Sequence, residues 1–469
     1  MSPSSVIPIP SVPPAEFRKA ATVFTTGDPV AETHDLANQV LNDYSITVQD
    51  LTFVENHDGF CQLEARVDYP QFQRGIPPFH KDDAHPGSGV FEMADDGTLV
   101  LQGHEEAPIV LTIPHETMPE GGYPLVKYYH GSGGYSDQAV HRGPILVEGG
   151  KETPGEGPAY VLAQRGFATV TSALPVNPER LPGASMTEYL NLGNVTAFRD
   201  TFRQGVIEQR LLIAALGDLE IPVDVLEDCV GADTGGGPAG FPADSVLAMG
   251  QSMGGMYTNM IGAVEPKIKA VVPTGAGGFW NYFILETELI PEAGSILALV
   301  LNTPTTLTFM HPVMNLVQTA WEGAEPIVYV PRLARSPLPE HPVRPAYQPV
   351  GYGDSFFPPL VFDAMTLAYG HQQAGEEVWP SMQVALESDG LAGILDYPVS
   401  QNLTSTTDDV PYTGVVVQYE GDGISDPHGI YAQLEEVKYQ FGCFFRTFQD
   451  TGVASVLAPR ESMYAPCDP

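Results

Sequence analysis

The chain has 469 residues, 58 of them acidic against 21 basic, for a formal net charge of −37, and 43% are hydrophobic. So acidic a balance argues against binding to nucleic acids, which need a basic face, and disfavours docking on an anionic membrane. The chain's apolar runs, the longest being "SILALVLN" at 295–302, fall well short of the roughly 18–20 residues of a membrane-spanning helix.

In chain order, the Pro/Ser-rich residues 1–20 are expected to be a flexible tail. They have the composition of a spacer left after removal of an export signal, which sets the expected location as extracellular or cell envelope. From about 45 to 115, "SITVQDLTFV", "CQLEARVDYP", "GTLVLQG" and "APIVLTIP" are short alternating runs between Asp/Gly/Pro turns, the pattern of antiparallel strands. The rhythm then changes. "YPLVKYYHG" (123–131), "GFATVTSAL" (166–174), "SVLAMG" (245–250) and "IKAVVPTG" (268–275) are compact apolar strands. Helical segments lie between them, the clearest at 197–217, where Phe198, Phe202, Val206, Leu212 and Leu216 recur near helical spacing and Gly217 stops the run. Such alternation predicts a mostly parallel sheet covered by helices on both faces. At 279–345 the alternation breaks into apolar helical segments, expected to form a cap insertion. It resumes at 345–370, passes a polar stretch at 371–412 expected to be a surface excursion, and ends with a strand, a loop and a long helix over 414–452.

The chemistry centres on "LAMGQSMGG" at 247–255. Gly250 and Gly254 flank Ser252 where a buried strand meets a helix, a G-x-S-x-G arrangement that lifts a serine hydroxyl above the sheet edge. A serine needs a histidine as base and a carboxylate to orient it. In this arrangement both follow the serine in the chain, so the histidines open to the role are His311, His341, His371 and His428. His428, in the loop after the last strand, is the expected base. Asp354, in "VGYGDSFF" after a strand, is the expected acid, with Asp422 and Asp426 as rivals close to His428. Backbone amides that stabilise a developing oxyanion are expected from Met253, after the nucleophile, and from Ser132 in the "HGSGG" loop at 130–134. Tyr135 in the same loop, and Trp280 and Phe283 among the aromatics Phe279, Trp280, Tyr282 and Phe283, are the candidate substrate contacts.

The G-x-S-x-G turn, the upstream H-G-x-G-G loop, the downstream G-x-G-D loop and the terminal histidine resemble the α/β-hydrolase superfamily of serine esterases and lipases. They are most similar to large secreted or lipoprotein-type bacterial hydrolases. The resemblance covers roughly 105–450. It implies an α/β-hydrolase domain over 45–469, with antiparallel N-terminal strands and a helical cap. It also implies ester cleavage through an acyl-enzyme without metal or organic cofactor, on a small-molecule or polymeric ester, polyesters included. An amidase or peptidase using the same triad, and a non-catalytic binding protein, are the alternative readings. Cys61, Cys229, Cys443 and Cys467 show no C-x-x-C spacing, which argues against a zinc or redox site; Cys443 and Cys467 are placed to staple the tail to the last helix. The acidic stretch at 223–237 lacks EF-hand spacing and is expected to be a solvated loop.

Overall fold

The computed structural model describes residues 27–80, 87–191, 194–288, 292–300, 302–303 and 306–468; the expected tail at 1–20 lies outside them. Asp28 starts the first helix, Pro29–Asp43, by accepting a hydrogen bond from the Ala31 amide, with Pro29 in the first turn, where its missing N–H costs nothing.

Two long antiparallel strands come next, β1 (Gln49–His57) and β2 (Phe60–Gln71), with β3 (Gly103–Pro114) paired along β2. The expected strand in "GTLVLQG" is reduced to an isolated bridge between Leu99 and Met93. The remaining strands are β4 (Leu125–Tyr129), β5 (Ala168–Ser172), β6 (Val246–Gln251), β7 (Ile268–Thr274), β8 (Ala346–Gly351), β9 (Gln372–Ala374), β10 (Ile394–Leu395), a small hairpin of β11 (Leu403–Thr404) and β12 (Pro411–Tyr412), and β13 (Gly414–Tyr419). Apart from the hairpin, the strands build a sheet ordered β1-β2-β3-β5-β4-β6-β7-β8-β13-β9-β10. It is antiparallel from β1 to β5 and parallel from there on. β9 and β10 fall within the stretch 371–412, so this region carries the end of the main sheet rather than only surface loops.

The sheet is buried on both sides because its central strands are apolar on both sides. On β4, Leu125 and Tyr129 face one core with the helices Pro29–Asp43 and Val195–Gly217, whereas Val126 and Tyr128 face the other with Glu435–Thr451. All five apolar residues singled out in 197–217 are buried. At 280–321 three helices, Trp280–Glu286, Ala293–Val300 and Pro312–Trp321, replace the strand–helix alternation. Among the described residues no helix is long and apolar enough to cross a membrane. Disulfides join Cys61 to Cys229 and Cys443 to Cys467; the second ties the tail to the last helix.

Strand register decides where the loops emerge. Tyr129 at the end of β4 pairs with Gly250, Gln251 at the end of β6 with Thr274, and Gly351 at the end of β8 with Tyr419. The loops that leave these strands therefore gather along one edge of the sheet.

Candidate active site

Ser252 sits between the last residue of β6 and the helix Met253–Val264, at φ 59° and ψ −124°. A non-glycine residue at positive φ is costly, and such strain persists only where its surroundings enforce it. Here the Ser252 amide donates to Thr274 O at 3.0 Å, fixing the turn to the end of β7. The flanking glycines are needed for space: a Cβ at Gly250 would collide with the Gly254 carbonyl, and one at Gly254 with the carbonyls of Tyr129 and His130. The Ser252 hydroxyl does not cap its helix.

His428 follows β13 in a short 3-10 turn capped by Asp426, which accepts from the His428 amide at 2.8 Å. Its Nδ1–H donates to Asp354 Oδ2 at 2.7 Å, and both side chains are buried. The other carboxylate oxygen of Asp354 accepts from the Phe356 and Phe357 amides at 2.8 and 2.9 Å. Asp354 is thus held as an acceptor, and Nε2 of the imidazole is left free of a proton. Phe356 stacks on the ring at 4.3 Å, and the backbone at Gly275, one residue past β7, runs beside it. No hydrogen bond joins the Ser252 hydroxyl to the imidazole; such contacts are often long in ligand-free enzymes. Asp422 does not reach His428: it accepts from the Ile424 and Ser425 amides and from Gln433 Nε2. His371 is packed under Tyr369 and bonded to Gln348 Oε1 at 2.8 Å, and burial pushes it down to about 3.

The strand order, the positive-φ serine at the β6–helix turn and the carboxylate-bound histidine after the last strand decide the architecture. The fold is that of the α/β-hydrolases.

The loop after β4 is where an α/β-hydrolase places its second oxyanion donor. His130 is fully buried, and burial pushes it down to about 4. It donates from Nδ1 to Gly131 O at 2.8 Å and accepts at Nε2 from the Leu174 amide at 2.9 Å. Gln138 Oε1 takes the Gly131 amide at 2.7 Å, and Asn177 Nδ2 donates to Gly134 O at 2.9 Å. The Ser132 hydroxyl donates to Met186 O at 2.6 Å. The amides of Ser132 and Met253 donate to no described residue.

Two cavities adjoin the site. One, of about 330 Å³, is lined by the 132–135 loop together with His141, Arg142 and Glu152. The other, of about 100 Å³, holds His428 and Phe356 and shares Arg142 and Glu152 with the first. Tyr135 is exposed on the larger one. Trp280 and Phe283 are elsewhere. Trp280 is fully buried against Phe198, Phe202 and Phe283 and donates its indole N–H to Ala324 O at 2.7 Å. Phe283 is buried against Trp280 and Phe357. Neither offers a free face to a ligand. A larger cavity of about 630 Å³ lies by the acidic loop at 223–236, and none of the nucleophiles or bases named above lines it. Among the described residues no cluster of His, Cys, Asp and Glu could hold a metal ion.

The sequence alone leaves Gln251 and Arg142 unmarked. Gln251, the variable residue before the nucleophile, donates from Nε2 to His428 O at 3.3 Å and accepts from Arg142 Nη1 at 2.9 Å.

No family model and no curated protein matches the chain. Among solved structures it is similar to acetyl xylan esterase 1 from Thermoanaerobacterium sp. JW/SL YS485, at 12% identity over 84% of this chain and 88% of that one, with a TM-score of 0.44. It is likewise similar to an acetyl xylan esterase from Paenibacillus sp. R4, at 12% identity, 80% and 90% coverage and a TM-score of 0.44. A puromycin-hydrolyzing peptidase of Mycobacterium tuberculosis matches at 13% identity, 88% and 46% coverage and a TM-score of 0.39. Likeness this distant carries no argument about chemistry.

Proposed function

We propose that this chain is a serine hydrolase that cleaves carboxylic esters through an acyl-enzyme. The observation that carries the reading is the 2.7 Å bond between His428 and Asp354 beside a strained Ser252 elbow. Ser252 Oγ attacks the acyl carbonyl while His428 Nε2 takes its proton. Asp354 accepts from Nδ1–H throughout and stabilises the imidazolium. The Ser132 and Met253 amides receive the oxyanion. His428 then protonates the leaving alcohol, and water repeats the cycle on the acyl-enzyme.

The polar lining of the cleft, with Tyr135, His141, Arg142 and Glu152, supports a polar substrate. A long acyl chain or a polyester loses its main support with Trp280 and Phe283 buried in the core. We place the enzyme outside the cytoplasm, a reading supported by its two disulfides. Amide cleavage uses the same groups, so the test pairs esters with anilides of the same acyl group. Wild-type protein takes up one fluorophosphonate, at Ser252, and hydrolyses the esters faster. Ser252→Ala takes up none and loses on the order of 10⁴–10⁶ in rate. An adduct at another serine sinks the assignment; anilides cleaved as fast as esters turn the enzyme into an amidase.

A further inference from the structure

Arg142 stands where the two cavities meet. Its neighbours hold it in place. Nη1 donates to Gln251 Oε1 at 2.9 Å, Nε faces Glu152 Oε1 at 3.1 Å, and the guanidinium lies over the Tyr431 ring at 6.0 Å. Gln251 precedes Ser252 and also bonds the His428 backbone, so one side chain separates the guanidinium from both the nucleophile and the base. Nη2 donates to no described residue, and the side chain is 27% exposed. Of the residues lining the two cavities, Arg142 alone is a lysine or arginine.

The donors that Arg142 has left limit what it can hold. A carboxylate is recognised best by two parallel N–H bonds from the guanidinium. Here Nε, which a side-on pair with Nη2 would need, faces Glu152, and Nη1 gives one of its two N–H groups to Gln251. Asp137, Glu152 and Asp426 line the same cavities, and the chain carries a net charge of −37; both oppose an anion. The surrounding carboxylates weigh against an anion, so the N–H groups left to Arg142, those of Nη2 foremost, suit an uncharged oxygen, such as an amide carbonyl, which takes a strong hydrogen bond from a charged donor.

We infer that Arg142 is a specificity-determining residue: through Nη2 it binds a neutral carbonyl or hydroxyl oxygen of the substrate, close to the ester that Ser252 attacks. The inference rests on the serine-hydrolase reading and narrows its substrates to esters that bear such an oxygen.

The test uses three esters of one acyl group and one chain length. The first carries an amide carbonyl near the ester, the second a methylene in its place, and the third a carboxylate. Wild-type enzyme favours the amide-bearing ester over the other two in kcat/KM. Arg142→Met and Arg142→Lys both cut the preference for the amide-bearing over the methylene ester by about tenfold or more, the size of one lost hydrogen bond to a charged group, chiefly through KM. Lysine keeps the charge and removes the Nη2 edge, so it guards against a loss due to misfolding. Phosphonate uptake at Ser252 is measured in every protein. Unlabelled wild-type Ser252 overturns the serine-hydrolase reading itself. Labelled Ser252 with an unchanged preference in both variants overturns this inference alone, as does a wild-type preference for the methylene or the carboxylate ester.

Discussion

The two loops that flank Ser252 are built from different materials. On the oxyanion side, the turn at 130–134 is held by neutral groups: the buried imidazole of His130, the amides of Gln138 and Asn177, and the Met186 carbonyl. Carboxylates stand outside these direct contacts: Glu179 accepts the Ser136 amide and hydroxyl, and Asp137 and Glu152 line the cavity beside the loop. On the base side the backbone hangs on carboxylates. Asp354 gathers the 356–357 amides, Asp426 the His428 amide and the Ser355 hydroxyl, and Asp422 the 424–425 amides. The difference follows the charge that each loop would meet in the proposed reaction. An imidazolium gains from nearby carboxylates, whereas an oxyanion is opposed by them.

The largest test of this contrast lies on the base side. Asp354→Asn costs about 10⁴ in kcat, because an amide no longer holds the imidazole in the required tautomer. Asp422→Asn, whose carboxylate only ties its own loop, costs less than about tenfold, in line with a surface hydrogen bond. A crippled Asp422 variant beside an active Asp354 variant reverses the assignment of the acid.

Acid separates the two sides next. His130 is depressed from its ordinary value to about 4 by burial. Between pH 6.5 and 4 the unfolded chain therefore binds a proton there that the folded chain does not. Stability falls as pH drops through that window, by about 3 kcal/mol for this one group, and no further below it. His371, at about 3, extends the same slope lower. For Asp422, burial acts upward, but the hydrogen bonds from Ile424, Gln433 and Ser425 prevail and hold it below its usual range. Its contribution to stability is lost only at more acidic pH. Urea midpoints measured from pH 7 to 4 for wild type and His130→Asn decide the point, since the variant flattens the slope. Equal slopes mean that the loop does not depend on a neutral imidazole.

A smaller effect bears on neutrality itself. Gln138→Glu keeps an acceptor for the Gly131 amide and adds a charge beside the oxyanion loop. It lowers kcat on the order of tenfold to a hundredfold, as expected for a unit charge several ångström from a developing anion at a protein-surface dielectric. Unchanged kcat across the pH range removes the case for neutral construction.

How much of this was legible in the sequence divides along the same line. Ser252 stands at G-x-S-x-G spacing just past an apolar strand, and Asp354 and His428 stand beside a glycine in polar loops that follow apolar strands, so local pattern and chain order suffice to propose them. Two of the groups that hold the oxyanion loop, His130 and Gln138, are local, but Asn177 and Met186 lie more than forty residues after Gly131, and only the pairing of β4 with β5 and β6 brings them near. Trp280 and Phe283 show the opposite failure. Their aromatic run looks like a pocket lining, but what an aromatic segment packs on is decided by the partner helix. Here Phe198 and Phe202 on Val195–Gly217 claim it for the core. Nor does a period of apolar residues register a buried amide such as Gln251, whose value lies entirely in its two partners.

The disulfides divide the chain in a way that bears on proteolysis. Cys61–Cys229 closes a ring of chain that contains β3, β4, β5 and the whole oxyanion loop, and Cys443–Cys467 closes a short one at the end. A protease that nicks the backbone inside either ring leaves both fragments covalently joined. Between 229 and 443 there is no such insurance. One cut among the helices at 280–321 separates the half that bears Ser252 from the half that bears Asp354 and His428, and only the non-covalent pairing of β7 with β8 and the packing around it then keeps nucleophile and base in one molecule.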